Sequence, residues 1–145
     1  MDVTTSPTRF SVLTRRVDER ESICRKEGAC IPIATLGNSR DALNPVELLL
    51  ASVSGCLIKG AERAALATGF AYNALEVEVS AERRDIPAAI TGIHYQIRVY
   101  TDESEERLQA LHRAMSRQST ICNTLENSTP ITGTITRFKP VPEYQ

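Results

Sequence analysis

The sequence predicts a mixed α+β domain with a largely antiparallel sheet and one long central helix, in the order βββ-α-ββ-α-β. Three observations carry this. An apolar helical run opens on Asn44-Pro45, two segments with apolar residues at every second position follow it, and an amphipathic segment of helical spacing separates these from a last alternating stretch. The length of 145 residues fits one domain, residues 1–145. Such a chain can bury roughly 70% of the surface its unfolded form exposes, enough for a core without disulfides.

Residues 1–8 are polar, contain Pro7 and read as a frayed terminus. Short β-branched stretches at 10–17, 22–25 and 30–35 are separated by turn residues at Asp18-Glu19 and Glu27-Gly28, the pattern of a small antiparallel meander. Residues 36–43 form a polar loop. Asn44 can cap the helix that follows, Pro45 suits its first position, and Glu47 stands where a capping box puts its carboxylate. Gly69 is the stop, which gives about 24 residues and roughly 36 Å of helix. Residues 46–58 carry no charge except Glu47, so this half is expected to be buried on every face. Lys59, Glu62 and Arg63 end the run well short of the ~20 residues a bilayer needs.

Residues 75–81 and 90–100 alternate apolar and polar and read as two long strands joined near Pro87, with Ile93, Tyr95, Ile97 and Val99 on one face. Residues 104–116 return to helical spacing, with Leu108, Leu111 and Met115 on one stripe and acidic residues in the first turn. A short turn or helix over 122–126 follows. Residues 130–139 close the chain as a strand, Ile131, Gly133 and Ile135 alternating with Thr132, Thr134 and Thr136.

Lys+Arg (17) and Asp+Glu (18) nearly balance, and a net charge of −1 with a pI near 6.1 lacks the basic footprint of a nucleic-acid or anionic-membrane binder. Neither partner is expected. The first residues have no basic n-region and no apolar h-region, so a cytoplasmic location is expected, where a disulfide is usually transient, catalytic or redox-sensing. Four cysteines are too sparse for a disulfide scaffold and become the feature to explain.

Cys56 lies within Ala51-Ser52-Val53-Ser54-Gly55-Cys56, among unusually small neighbours that let other backbone approach. Cys122, in Ser119-Thr120-Ile121-Cys122, follows the second helix, and the fold could bring the two together. A helix start there would lower the Cys122 pKa, because backbone N–H groups and the helix dipole favour a thiolate. The alternative is that both are small core residues. Cys24 and Cys30 flank the Glu27-Gly28 turn and could form a hairpin disulfide, half of a metal site, or nothing. Their spacing is not a zinc signature and no His lies near; a reaction carried by the Cys56 and Cys122 thiols themselves would need no metal or organic cofactor. His94 and His112 have no Asp or Cys at motif spacing and receive no function.

The run Asn44-Pro45-Val46-Glu47-Leu48-Leu49-Leu50-Ala51-Ser52-Val53-Ser54-Gly55-Cys56 resembles the signature of the OsmC/Ohr family, in which Asn-Pro opens a long central helix and a Cys follows twelve residues after the Asn. Cys122 falls where that family keeps its second Cys, and the similarity spans nearly the whole chain. The resemblance implies an intertwined homodimer with sites at the subunit interface and thiol-dependent reduction of organic hydroperoxides or peroxide in oxidative-stress defence. Carried over by position, Cys56 is the peroxidatic thiol and Cys122 the resolving one, and an external dithiol resets the pair.

Two positions depart from the peroxidase branches, where Glu directly follows Asn-Pro and orients an activating Arg. Here Val46 follows and Glu47 comes one residue later, about 100° around the helix. Glu47 is therefore a candidate both for the catalytic role and for the capping box. Asn123 stands where the family often has Pro after the second Cys, and both changes resemble the YhfA-like branch. The cation that would hold Cys56 as thiolate is expected to be Arg40, in the loop before the helix, with Arg16 as the other candidate. A second reading keeps the fold but makes the chain a non-peroxidase module that binds a small hydrophobic ligand, or a thiol redox sensor, at the dimer interface.

Overall fold

A computed structural model describes residues 7–138; residues 1–6 of the expected tail and Lys139 of the last expected strand lie outside the described residues. The elements are β1 (Leu13–Arg16), β2 (Glu21–Lys26), β3 (Ala29–Ala34), α1 (Pro45–Thr68), β4 (Ala74–Asp85), β5 (Ala88–Tyr100), α2 (Glu105–Gln118), α3 (Thr120–Leu125) and β6 (Ile131–Arg137). They group into two compact units, Met1–Leu48 and Leu49–Gln145.

In the first unit β1, β2 and β3 form an antiparallel meander. Its first turn closes on the Asp18 carboxylate, which accepts the N–H groups of Arg20 (2.8 Å) and Glu21 (2.9 Å). The second turn puts Glu27 at φ 50°, a left-handed conformation that L-residues other than Asn and Asp seldom adopt. β1 is shorter than the expected 10–17 because β2 turns away at Glu27, leaving residues 10–12 unpaired. The loop then returns along the sheet, and Ala34 N–H donates to the Leu43 carbonyl at 2.9 Å.

The capping box forms as the residue types require. Glu47 N–H donates to Asn44 Oδ1 (2.9 Å) and Asn44 N–H donates to Glu47 Oε2 (2.8 Å), so two otherwise unpaired donors at the start of α1 are satisfied. The helix ends where Gly69, at φ 70°, donates its N–H to the Ala65 carbonyl. α1 is not buried on every face. Val53, Leu57, Gly60, Ala61 and Ala64 form its buried stripe, whereas Leu48, Leu49 and Leu50 are half-buried and Ala51 and Gly55 exposed. A helix on one side of a sheet has one face to bury, and the remaining apolar face stays partly open in the single chain.

In the second unit β4, β5 and β6 make a sheet in that order, β4–β5 antiparallel and β5–β6 parallel. One face carries Tyr95, Ile97, Val99 and Ile135 into a core shared with Val53 and Leu57 of α1, Leu108, Leu111 and Met115 of α2, and Cys122 of α3. The other face is polar, with Arg98 bridging Glu76 and Glu78. The β4–β5 hairpin extends past the expected strand ends because residues 82–85 pair with residues 88–92 of β5; being polar (Glu-Arg-Arg-Asp), they show no alternation to read. α1 and α2 approach closely at Gly60, where a Cβ would stand 3.0 Å from the Met115 carbonyl oxygen. Among the described residues, no helix is long and apolar enough to cross a membrane.

Candidate active site at two thiols

Ser119 is the only residue between α2 and α3, and it ends one helix and starts the other. Its N–H donates to the Ser116 carbonyl (3.4 Å), and its hydroxyl accepts the Cys122 N–H (3.1 Å), an N-cap that orients α3. Asn123 fixes the same joint by donating from Nδ2 to the Arg117 carbonyl at 3.1 Å. The side chain of Ser119 is fully buried and Cys122 is 2% exposed.

Cys56, half-buried in the middle of α1, faces this joint. Burial alone would raise the pKa of its thiol, but the N–H of Ile121, the Ser119 hydroxyl, the N–H of Thr120 and the charge of Lys59 together outweigh burial and lower it. Backbone donors that have no partner inside α3 thus serve a sulfur on another helix. The small residues around Cys56 make no competing demands, since the Ser52 and Ser54 hydroxyls donate to the Leu49 (2.6 Å) and Ala51 (2.9 Å) carbonyls of their own helix.

Cys122 behaves oppositely. Its pKa is raised, first by burial and then by the negative charge of Cys56 and of Glu126, with the Ser119 hydroxyl opposing. The helix start was expected to favour a Cys122 thiolate; instead its N–H groups act on Cys56, because Cys122 is the third residue of α3 and its sulfur points into the core. The structure therefore brings together a thiol whose pKa is lowered and one whose pKa is raised.

The other candidates lie elsewhere in the chain's organisation. Glu47 engages one carboxylate oxygen in the capping box. Arg40 is an exposed loop residue and Arg16 an exposed residue of β1, both in the first unit. Cys24 pairs across β2–β3 with Ile31, and Cys30 with Arg25, so the register sends the two thiols to opposite faces of the hairpin and does not join them. Ser119, Ile121 and Lys59 were not singled out by motif. The Ser-Thr pair three residues before Cys122 is a cap signal, but which sulfur it serves depends on tertiary packing.

The OsmC-like protein family model matches residues 37–133. No curated protein matches the chain. Among solved structures, the OsmC-like protein of Mycoplasma pneumoniae superposes with a TM-score of 0.84 at 16% identity, over 91% of this chain and 99% of that one. The organic hydroperoxide resistance protein OhrB of Bacillus subtilis gives 0.67 at 14%, over 88% and 98%. The organic hydroperoxide resistance protein OsmC of Legionella pneumophila gives 0.69 at 11%, over 90% and 99%. The superpositions establish a shared fold, and the family model, covering most of the described chain and both Cys56 and Cys122, establishes that the protein belongs to the OsmC-like family.

Proposed function

We propose that the protein is a homodimeric thiol peroxidase that reduces organic hydroperoxides in the cytoplasm. The observation that carries this is the opposite tuning of two adjacent thiols, Cys56 towards thiolate and Cys122 towards thiol. In this reading the Cys56 thiolate attacks the terminal peroxide oxygen, the O–O bond breaks, and the alkoxide takes a proton and leaves as alcohol. Cys56 is left as a sulfenic acid. Cys122 then attacks the Cys56 sulfur; the S–S bond forms, the S–O bond breaks, and the thiol proton leaves with the hydroxyl as water. An external dithiol reduces the disulfide through a mixed disulfide.

Lys59 and the α3 amides supply the electrostatic help; the resemblance implies an Arg oriented by a Glu as well, and Arg40 and Glu47 are the candidates for these roles in this chain. The partly open apolar face of α1, with Leu48 to Leu50 half-buried, supports a second copy as the partner. The test is consumption of cumene hydroperoxide by the reduced protein, with Cys56→Ser, Cys122→Ser and Arg40→Ala beside the wild type and sedimentation to give the oligomeric state. Cys56→Ser is expected to be inactive, and Cys122→Ser to make one turnover and stop at an oxidised Cys56. Activity surviving in Cys56→Ser sinks the proposal.

A further inference from the structure

Tyr95 of β5 lies opposite Gly133 of β6, and its ring covers that glycine so closely that a Cβ there would stand 2.2 Å from the ring. The missing side chain lets the ring lean to α2, where the Tyr95 hydroxyl meets His112 Nε2 at 2.7 Å and Ser116 Oγ at 3.1 Å. The His112 ring stands edge-on to it, with centroids 5.7 Å apart. Tyr95 is 6% exposed while His112 and Ser116 are half-buried, so the hydroxyl meets its partners at the edge of the core, where an unmet partner costs and a met one gives direction. Burial, with Arg113 nearby, lowers the His112 pKa, so near neutral pH one ring nitrogen is free to accept.

The cluster is wired to the thiol site. Ser116, which meets the Tyr95 hydroxyl, also offers its carbonyl to the Ser119 N–H, and Ser119 caps the helix that carries Cys122. Tyr95 and Cys122 belong to the same buried cluster.

We propose that Tyr95 and His112 are positioning residues for disulfide formation, holding the α2–α3 joint so that Cys122 meets the sulfenic acid on Cys56. This rests on the two-thiol reading above. Apolar packing alone would seat α2 on the sheet. The Tyr95–His112–Ser116 contacts add a fixed rotation and height at its last turn, where Cys122 is aimed. The first step, attack of Cys56 on peroxide, feels the joint only through the Ser119 hydroxyl and the α3 N–H groups that meet the Cys56 sulfur, so it is the less sensitive of the two steps.

The experiment follows both steps in the full-length protein. Sulfenic acid formation at Cys56 is read by rapid-quench mass spectrometry after a peroxide pulse, and Cys56–Cys122 disulfide formation both after that pulse and after diamide. His112→Leu is expected to slow disulfide formation about fivefold, the effect of one lost hydrogen bond, and Tyr95→Phe, which keeps the ring over Gly133 but gives up both hydroxyl contacts, by about fivefold or more. The first step should slow clearly less than the second. His112→Gln, whose amide can meet the tyrosine hydroxyl, should restore the second step, and the Tyr95→Phe/His112→Leu double variant should be no slower than Tyr95→Phe alone. Ser116→Ala supplies a third variant if either of the others fails to fold. Equal slowing of both steps, or an unchanged second step, overturns the positioning role while leaving the peroxidase standing. A wild type that forms the disulfide with neither oxidant overturns both.

Discussion

Replacing Ser119 by Ala separates what the α2–α3 joint does for stability from what it does for the thiol. The hydroxyl is fully buried and accepts the Cys122 N–H at 3.1 Å, and removing it uncaps α3 and leaves that N–H without a partner away from water. A lost cap costs about 1 kcal/mol and a buried unmet donor about 1–3 kcal/mol, and the two describe the same bond, so about 2 kcal/mol is expected. An unfolding entropy near 2.1 cal/mol/K per residue gives about 0.3 kcal/mol/K for a chain of this length, so Tm should fall about 7 °C. The same hydroxyl lowers the Cys56 pKa, so its removal should raise that pKa towards the ordinary thiol range. Calorimetry measures the first effect. Iodoacetamide alkylation across pH, with peptides resolved by mass spectrometry, measures the second for each cysteine separately. A variant that melts lower but alkylates Cys56 with the wild-type pH profile refutes the link between cap and thiol. An unchanged Tm refutes the cap itself.

Three more expectations follow. Lys59→Met should raise the Cys56 pKa less than Ser119→Ala does, and the difference from wild type should vanish in about 1 M salt, because Lys59 is exposed and its field is screened. A shift that survives high salt argues against a Coulombic role. The raised Cys122 pKa means the folded state prefers the thiol, so its stabilising contribution is full below the unfolded-state thiol pKa and is lost as pH rises towards the folded-state value. Denaturant unfolding should therefore show the stability gap between wild type and Cys122→Val shrinking on the alkaline side, and a gap independent of pH contradicts this. Gly60→Ala should destabilise by about 1–2 kcal/mol, since a Cβ 3.0 Å from the Met115 backbone oxygen forces α1 and α2 apart and outweighs the helix-propensity gain of about 1 kcal/mol; a raised Tm would show that the helices give way freely.

The parts of this fold that local chemistry dictates were legible. Asn44, Pro45, Glu47 and Gly69 each act within a turn of their own position, and the observed α1 (Pro45–Thr68) begins and ends where they require. The alternation Ile93, Tyr95, Ile97, Val99 fixed the inner face of β5 because strand period is two whatever the partner. What was missed depends on packing between distant segments. Residues 82–85 carry no apolar signal, yet they continue β4 because β5 is there to pair with them. A helix start near Cys122 was expected to favour a thiolate at Cys122 itself, but α3 begins at Thr120, and the sulfur that the N–H groups of Thr120 and Ile121 meet arrives on α1. His112, at no motif spacing from Cys or Asp, acquires its partner only because Gly133 lets Tyr95 lean across β6.

The opposite tuning of the two thiols also bears on how the proposed disulfide would be reopened. A sulfur with a lowered pKa leaves more readily, so leaving-group chemistry favours attack of an external thiolate on Cys122 with Cys56 expelled. Access favours the reverse: Cys56 is half-buried, whereas Cys122 is 2% exposed beneath α3. The two preferences are unequal in kind. A pKa difference changes the exchange rate through a Brønsted coefficient of about 0.4–0.5, so even two pKa units alter it only about tenfold. In-line attack on a sulfur without solvent contact needs the covering helix to open. The capped joint at Ser119 and the hydrogen bonds behind it oppose that opening, each contributing about 1 kcal/mol, so three or four of them outweigh the leaving-group advantage. On this chemistry the reductant's mixed disulfide forms on Cys56, and the contacts that aim Cys122 during oxidation are the same ones that shield it during reduction.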